Sequence, residues 1–203
     1  MRILGFTLCI CIAQAAGAVD FYSLTVSRDG DSYSMSADAH VAAPPAAVYA
    51  VLTDYDHLTR ISSAVLKSRV VQHLDGGATL VYTDSRACAL FFCKHITELQ
   101  RYTRLGAQDL VAEVVPEQSN LKSGRTVWHL EAEGEGTRLH WEMNAVPDFW
   151  VPPFIGPTLV QRGLRTEGRR GVAGVEKLAR ERAHLPPLES EHSDAPQKTS
   201  DSG

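Results

Sequence analysis

From Ser32 to Val41 the chain alternates without a break. Tyr33, Met35, Ala37, Ala39 and Val41 are apolar, and Ser32, Ser34, Ser36, Asp38 and His40 separate them. A period of two marks a strand with one buried face. Asp29-Gly30 just before it is a two-residue turn signal. Residues 21–41 are therefore expected to form a hairpin that pairs Val26 with Tyr33 and Leu24 with Met35.

The period then changes. After Ala43-Pro44-Pro45, the residues Val48, Val51, Leu52 and Tyr55 recur at i, i+3, i+4 and i+7, one buried face of a helix. Asp54-Tyr55-Asp56 ends it, and residues 58–62 read as a second short helix. Strand pattern returns over 65–74 and 79–86, around Asp75-Gly76-Gly77. With Asp75-Gly76 as the turn, Val71 faces Leu80, Arg69 faces Tyr82 and Lys67 faces Asp84. Further strands are expected over 93–102 and 110–115.

The last hairpin has the strongest pattern. Trp128, Leu130 and Ala132 share one face of its first arm, and Leu139, Trp141, Met143 and Ala145 share one face of its second. Matching these faces across Glu135-Gly136 pairs Trp128 with Met143, Leu130 with Trp141 and Ala132 with Leu139. The opposite face then pairs Glu133 with Arg138, Glu131 with His140 and His129 with Glu142, three favourable cross-strand contacts. On this reading His129 and His140 are surface partners of carboxylates, not metal ligands.

One long helix closes the pattern, over residues 153–183. Val160, Leu164, Val172, Val175, Leu178 and Ala179 fall near one face, and arginines fill much of the rest. Pro157 fits the first turn, where a missing N–H costs little, and Pro186-Pro187 stop the helix. Gly163, Gly168, Gly171 and Gly174 interrupt it at about 0.8–1 kcal/mol each relative to Ala. Two explanations stand for them: close packing of helix on sheet, or space left for a ligand. Because nearly everything before this helix is β pattern, its apolar face must meet a sheet. The class is α+β: a curved antiparallel β-sheet wrapped around a long C-terminal helix, with two short helices after the first strands.

The chain has 203 residues, but its ends read differently. Met1 to Ala18 has the form of a secretory signal peptide: Arg2, an apolar core, then Ala16-Gly17-Ala18 as the cleavage site. Its apolar run is too short to span a bilayer. Export to the periplasm with cleavage after Ala18 is the expectation. Residues 185–203 are polar and Pro/Ser-rich, as in a disordered tail. About 165 residues remain, residues 19–184, enough for one domain with a sizeable core. The formal net charge is −4, which disfavours nucleic acid as a partner. No basic tract, phosphate loop or zinc-type cysteine spacing appears, so no metal or cofactor is expected.

Cys88 and Cys93 survive cleavage, in CALFFC. An oxidising compartment permits a disulfide. On one straight strand, residues five apart lie about 16 Å apart on opposite faces, which forbids it. A Cys88–Cys93 bond therefore requires the chain to turn at Ala89-Leu90-Phe91-Phe92. Two separate thiols on an extended segment are the alternative.

Two stretches resemble a known superfamily. The segment AHVAAPPAAVYAVLTDYDHLTRISSAVLKSRVV resembles the opening of START-like proteins (the Bet v 1-like or SRPBCC superfamily), through Pro44, Val48, Tyr49, Val51, Leu52, Asp54 and Tyr55. GTRLHWEMNAVPDFWVPPFIGPTLVQRGL is similar to that family's entry into its last helix, through Gly136, Thr137, Leu139, Trp141, Pro147, Pro152 and Leu159. The nearest branch is the polyketide cyclase/dehydrase and coenzyme-Q-binding-like group, in an exported version. The resemblance implies a helix-grip fold with a cavity between sheet and helix.

Such a cavity would bind a hydrophobic small molecule such as a lipid or quinone. Expected wall residues are Tyr82, Trp128, Leu130, Trp141 and Met143 from strands and Val160, Leu164, Val172 and Val175 from the helix. Each is also an ordinary core residue. Phe149, Trp150 and Phe154 put three aromatics on one Pro-rich connection. It serves as a lid carrying Trp150 at the cavity mouth, as a foot in a membrane interface, where Trp is favoured, or as a cover on the open end of the core. A cyclase or hydrolase in the same cavity is the alternative function, with Arg69, Tyr82, Asp84, Arg86 or His95 as acid, base or oxyanion donor. A protein-interaction module is the third.

Overall fold

The structure is a computed structural model and describes residues 19–89, 92–150 and 156–186. The expected signal peptide, most of the expected tail and Phe154 lie outside the described residues. Eight strands follow in order: β1 (Asp20–Asp29), β2 (Ser32–Val41), β3 (Val65–His73), β4 (Thr79–Ala89), β5 (Phe92–Arg104), β6 (Asp109–Val114), β7 (Leu121–Glu133) and β8 (Gly136–Pro147). Helix α1 (Pro45–Leu52) and a 3₁₀ turn (Tyr55–Arg60) separate β2 from β3, and helix α2 (Gly156–Arg182) follows β8. The strands form one antiparallel sheet in the order β1-β2-β8-β7-β6-β5-β4-β3. The α+β helix-grip architecture is the one observed.

Alternation decides which side of the sheet is buried. Met35, Ala37, Ala39 and Val41 of β2 are buried on one face. Ala39 and Val41 meet Leu139 of β8, Leu130 of β7, Leu110 and Ala112 of β6 and Val81 of β4 in one core. Val48, Val51 and Leu52 of α1 enter it, as their spacing requires. Tyr55 enters as well, its ring 4.6 Å from that of Tyr102. Burying Tyr55 starts the second helical segment there, at 55–60, three residues earlier than expected.

Two hairpins correct the expected registers in the same way. At β1–β2 the turn is Gly30-Asp31, so Val26 faces Met35, Leu24 faces Ala37 and Arg28 faces Tyr33. At β7–β8 the turn is Gly134-Glu135, so Trp128 faces Trp141, Leu130 faces Leu139 and Ala132 faces Thr137. In both, the glycine takes the first turn position with positive φ, +56° at Gly30 and +59° at Gly134, a conformation costly for other residues. The shift is two residues, so every side chain keeps its expected face.

What changes is the partner. His129 faces His140, and Glu131 faces Arg138. Each histidine finds a carboxylate nearby: His129 Nδ1 lies 2.6 Å from Asp109 and its Nε2 3.1 Å from Glu131, and His140 Nε2 lies 3.2 Å from Glu142. At β3–β4 Arg69 faces Tyr82 and Lys67 faces Asp84 as expected. A bulge between Val70 and Gln72 takes Val71 out of the ladder, and Gln72 faces Leu80 instead.

Candidate functional site

The two halves of α2 meet different surfaces. The C-terminal half puts Val172, Val175, Leu178 and Ala179 onto the core. Facing side chains there are large: Leu110, Leu130, Val41 and Val81 are fully buried. Opposite the N-terminal half the sheet mixes small residues, Ala87, Gly124 and Ala145, with Ile96, Val114 and Met143. Between these residues and the helix lies a cavity of about 680 Å³. That size suits a small-molecule site, which usually spans about 300–1,000 Å³.

The glycines of α2 divide accordingly. A Cβ on Gly174 would overlap the Ile61 carbonyl oxygen, and one on Gly168 would come within 2.9 Å of Met35 Sδ. Close packing accounts for both. Gly163 lines the cavity, where a Cβ would reach the Cys88 carbonyl at 3.6 Å. Gly171 has nothing within 4 Å of a Cβ.

The mouth is polar and basic. Ser62 Oγ donates to Glu167 at 3.2 Å, and Arg170 donates to the same carboxylate at 2.6 Å. Lys94 Nζ sits 5.0 Å from the centre of the Phe149 ring. Arg86 and Arg162 are further lining residues. Cys88 and Cys93 are bonded, with Cα atoms 4.1 Å apart, so the chain does turn between them. Of the Ala89 to Phe92 tip, the side chains lie outside the described residues.

Three of the expected wall residues line the cavity: Met143, Val160 and Leu164. Leu130, Val172 and Val175 are buried core, because they lie at the filled end. Trp128 and Trp141 pack against that core, and Trp128 stacks on Tyr102 at 6.1 Å. Tyr82 is corrected outright. It shares its face with Arg69, whose guanidinium lies 5.3 Å from its ring, while its neighbours Val81 and Thr83 are buried on the other side. Trp150 is 69% exposed and does not line the cavity. Asp84 and His95, named for the enzyme alternative, bond each other at 2.9 Å, with the His95 side chain 60% exposed. Arg86 alone of that set touches the cavity.

Glu98 was not anticipated. On β5 it shares a face with Ile96 and Gln100, both of which line the cavity with it. The other face carries Leu99, which is buried where Glu98 is only half-buried, so alternation alone did not choose between them. Leu99 is covered by the 116–120 connection: its N–H donates to Ser119 Oγ at 3.0 Å, and Val115 N–H donates to its carbonyl at 2.8 Å. This cover turns Glu98 inward. Desolvation at the cavity wall lifts the Glu98 carboxyl from an ordinary 4.5 to about 7. Nearby, Tyr102 Oη donates to Gln100 Oε1 at 3.0 Å, and burial raises the Tyr102 phenol above its usual range.

These features define a helix-grip domain that encloses a cavity between its last helix and a curved antiparallel sheet. The chain belongs to the family described as polyketide cyclase / dehydrase and lipid transport, which matches residues 32–180. Three solved structures illustrate the likeness. One is TTHA0849 from Thermus thermophilus, at TM-score 0.63 and 18% identity over 74% of this chain and 99% of that one. Another is the Zhui aromatase/cyclase from Streptomyces sp. R1128, at TM-score 0.57 and 17% identity over 75% of this chain and 96% of that one. The third is human STARD10, at TM-score 0.56 and 13% identity over 86% of this chain and 78% of that one. At such identities the likeness concerns the fold. No curated protein matches the chain in sequence.

Proposed function

We propose that this domain binds a hydrophobic small molecule, a lipid or quinone, between β4–β8 and the N-terminal half of α2, and carries it outside the cytoplasm. The observation that carries the reading is the unfilled 680 Å³ space, beside a core whose other end is filled by large side chains. Apolar burial at about 25 cal/mol per Å² supplies the affinity. Two observations support export: the leader pattern of residues 1–18 and the Cys88–Cys93 bond, which an oxidising compartment allows to persist. The exposed Trp150, next in sequence to the cavity-lining Phe149, supports peripheral contact with a membrane, from which such a ligand would enter.

Native mass spectrometry of protein exported to the periplasm and purified without detergent tests the proposal. A discrete extra mass, lost on denaturation and recovered by solvent extraction as a lipid or quinone, is the expected result. A bare chain that also takes up no added lipid or quinone would reject it. A cyclase- or hydrolase-type activity is the second reading, favoured by the carboxyl of Glu98 on the cavity wall. It has lost Arg69, Asp84 and His95, which lie on the outer side of the sheet.

A further inference from the structure

The cavity wall is apolar along α2 at Val160 and Leu164 and along β8 at Met143. Glu98 interrupts it from the sheet. Thr83 is its cross-strand neighbour, and Gln100, two residues on, is already engaged by the Tyr102 hydroxyl. Among the described residues nothing hydrogen-bonds the Glu98 carboxyl or pairs with it, and desolvation favours its neutral form. Glu98 is half-buried, and its carboxyl, on the cavity wall without a protein partner, is left to water or to a ligand. A ligand that fills the cavity displaces that water and must supply a hydrogen bond in its place.

We propose that Glu98 recognises the single hydroxyl of an otherwise apolar ligand, seated head-inward in the cavity, and discriminates against ligands that end in a carboxylate. This rests on the hydrophobic-binding reading above. A hydroxyl suits Glu98 in either protonation state: it donates to the carboxylate, and its oxygen accepts from the carboxylic acid. A ligand carboxylate would meet repulsion at this position. The charged groups around the cavity are Arg86 on β4, Lys94 on β5, Arg125 on β7, and Arg162, Glu167 and Arg170 on α2. Arg125 is engaged by Glu113 at 2.8 Å and Arg170 by Glu167 at 2.6 Å. The basic residues left at the mouth would instead hold an anionic head outward, which gives a clear contrast.

The test is titration calorimetry with decan-1-ol and decanoate at pH 8 on wild type, Glu98→Gln and Glu98→Leu. Circular dichroism and melting temperatures establish that each variant is folded. Wild type is expected to prefer the alcohol by about tenfold, the scale of one hydrogen bond to a charged group. Glu98→Gln should keep most of the alcohol affinity and raise that for decanoate. Glu98→Leu should lose about tenfold for the alcohol alone. Should wild type bind decanoate as well as the alcohol, with neither substitution altering the order, the head is held at the mouth and the role of Glu98 is refuted. Should neither probe bind wild type while the protein also purifies without ligand, the cavity reading fails, and the inference with it.

Discussion

Glu176 and Arg180, one turn apart on α2, grip both backbone groups of Ala42. The Ala42 N–H donates to Glu176 Oε1 at 2.7 Å, and Arg180 donates to the Ala42 carbonyl at 2.6 Å. Glu176 is only 4% exposed. The clamp fixes the C-terminal half of α2 at the end of β2, over the filled core, while the cavity lies under the other half. Glu176→Ala leaves the Ala42 N–H without its acceptor. The expected loss is about 1–3 kcal/mol in urea unfolding, with a smaller loss for Glu176→Gln, which keeps an acceptor oxygen. An unchanged unfolding midpoint in Glu176→Ala would mean the clamp does not hold the helix.

The helix glycines give a paired prediction. Gly171 has open space around a Cβ, whereas Gly174 faces the Ile61 backbone carbonyl, which cannot rotate away. Gly171→Ala should stabilise the protein by about 0.4–1 kcal/mol. Gly174→Ala should destabilise it by about 1–3 kcal/mol, the range for overpacking. Denaturant melts of the two variants decide it, and two changes of the same sign would contradict this packing.

Trp150, 69% exposed and next in sequence to the cavity-lining Phe149, is the residue to alter for membrane contact. Burying about 60 Å² of its ring in an interface would contribute about 1.5 kcal/mol, or roughly tenfold in partitioning. Trp150→Ser should therefore sediment with liposomes about tenfold less while its melting temperature stays within a degree or so of wild type. Equal sedimentation would remove the membrane foot from the picture.

Sequence periodicity located the elements and their faces because it reports which side of a strand or helix is apolar. It reported turns less well. Asp29-Gly30 and Glu135-Gly136 looked like turn centres, yet Gly30-Asp31 and Gly134-Glu135 are used, since only backbone geometry decides which turn position takes positive φ. The cavity was legible as a region and not as a list. Val160, Leu164, Val172 and Val175 have the same pattern, and whether each meets a cavity or a core depends on residues far away in sequence, Ala87 and Ala145 against Leu110 and Leu130. Tyr82 was misplaced because both faces of β4 carry aliphatic or aromatic residues. Glu98 was hidden because its neighbour Leu99 is the buried one, under a connection that has no periodicity.

The pH dependence of stability follows from Glu98. Its carboxyl binds a proton more tightly in the folded chain, at about 7, than at its ordinary 4.5. Stability from this group is therefore complete below about pH 4.5, falls as pH rises toward 7, and is level above it. The full swing is at most about 3 kcal/mol, reduced by solvent entering the cavity. His129 acts in the same direction but begins higher. Its pKa is raised above the ordinary 6.5, chiefly by its hydrogen bond to Asp109, so its contribution is lost as pH rises through the folded value. Asp38 is held below its ordinary 3.8 by the Arg138 guanidinium, and its contribution is lost only as pH falls below that window. Comparing wild type with Glu98→Gln separates these effects, because the amide cannot ionise and His129 is common to both. Urea unfolding at pH 4.5, 6 and 8 should show wild type losing more stability than the variant between the first two values. Parallel profiles would mean that Glu98 ionises as an exposed carboxylate does, and that the cavity wall at β5 is wet.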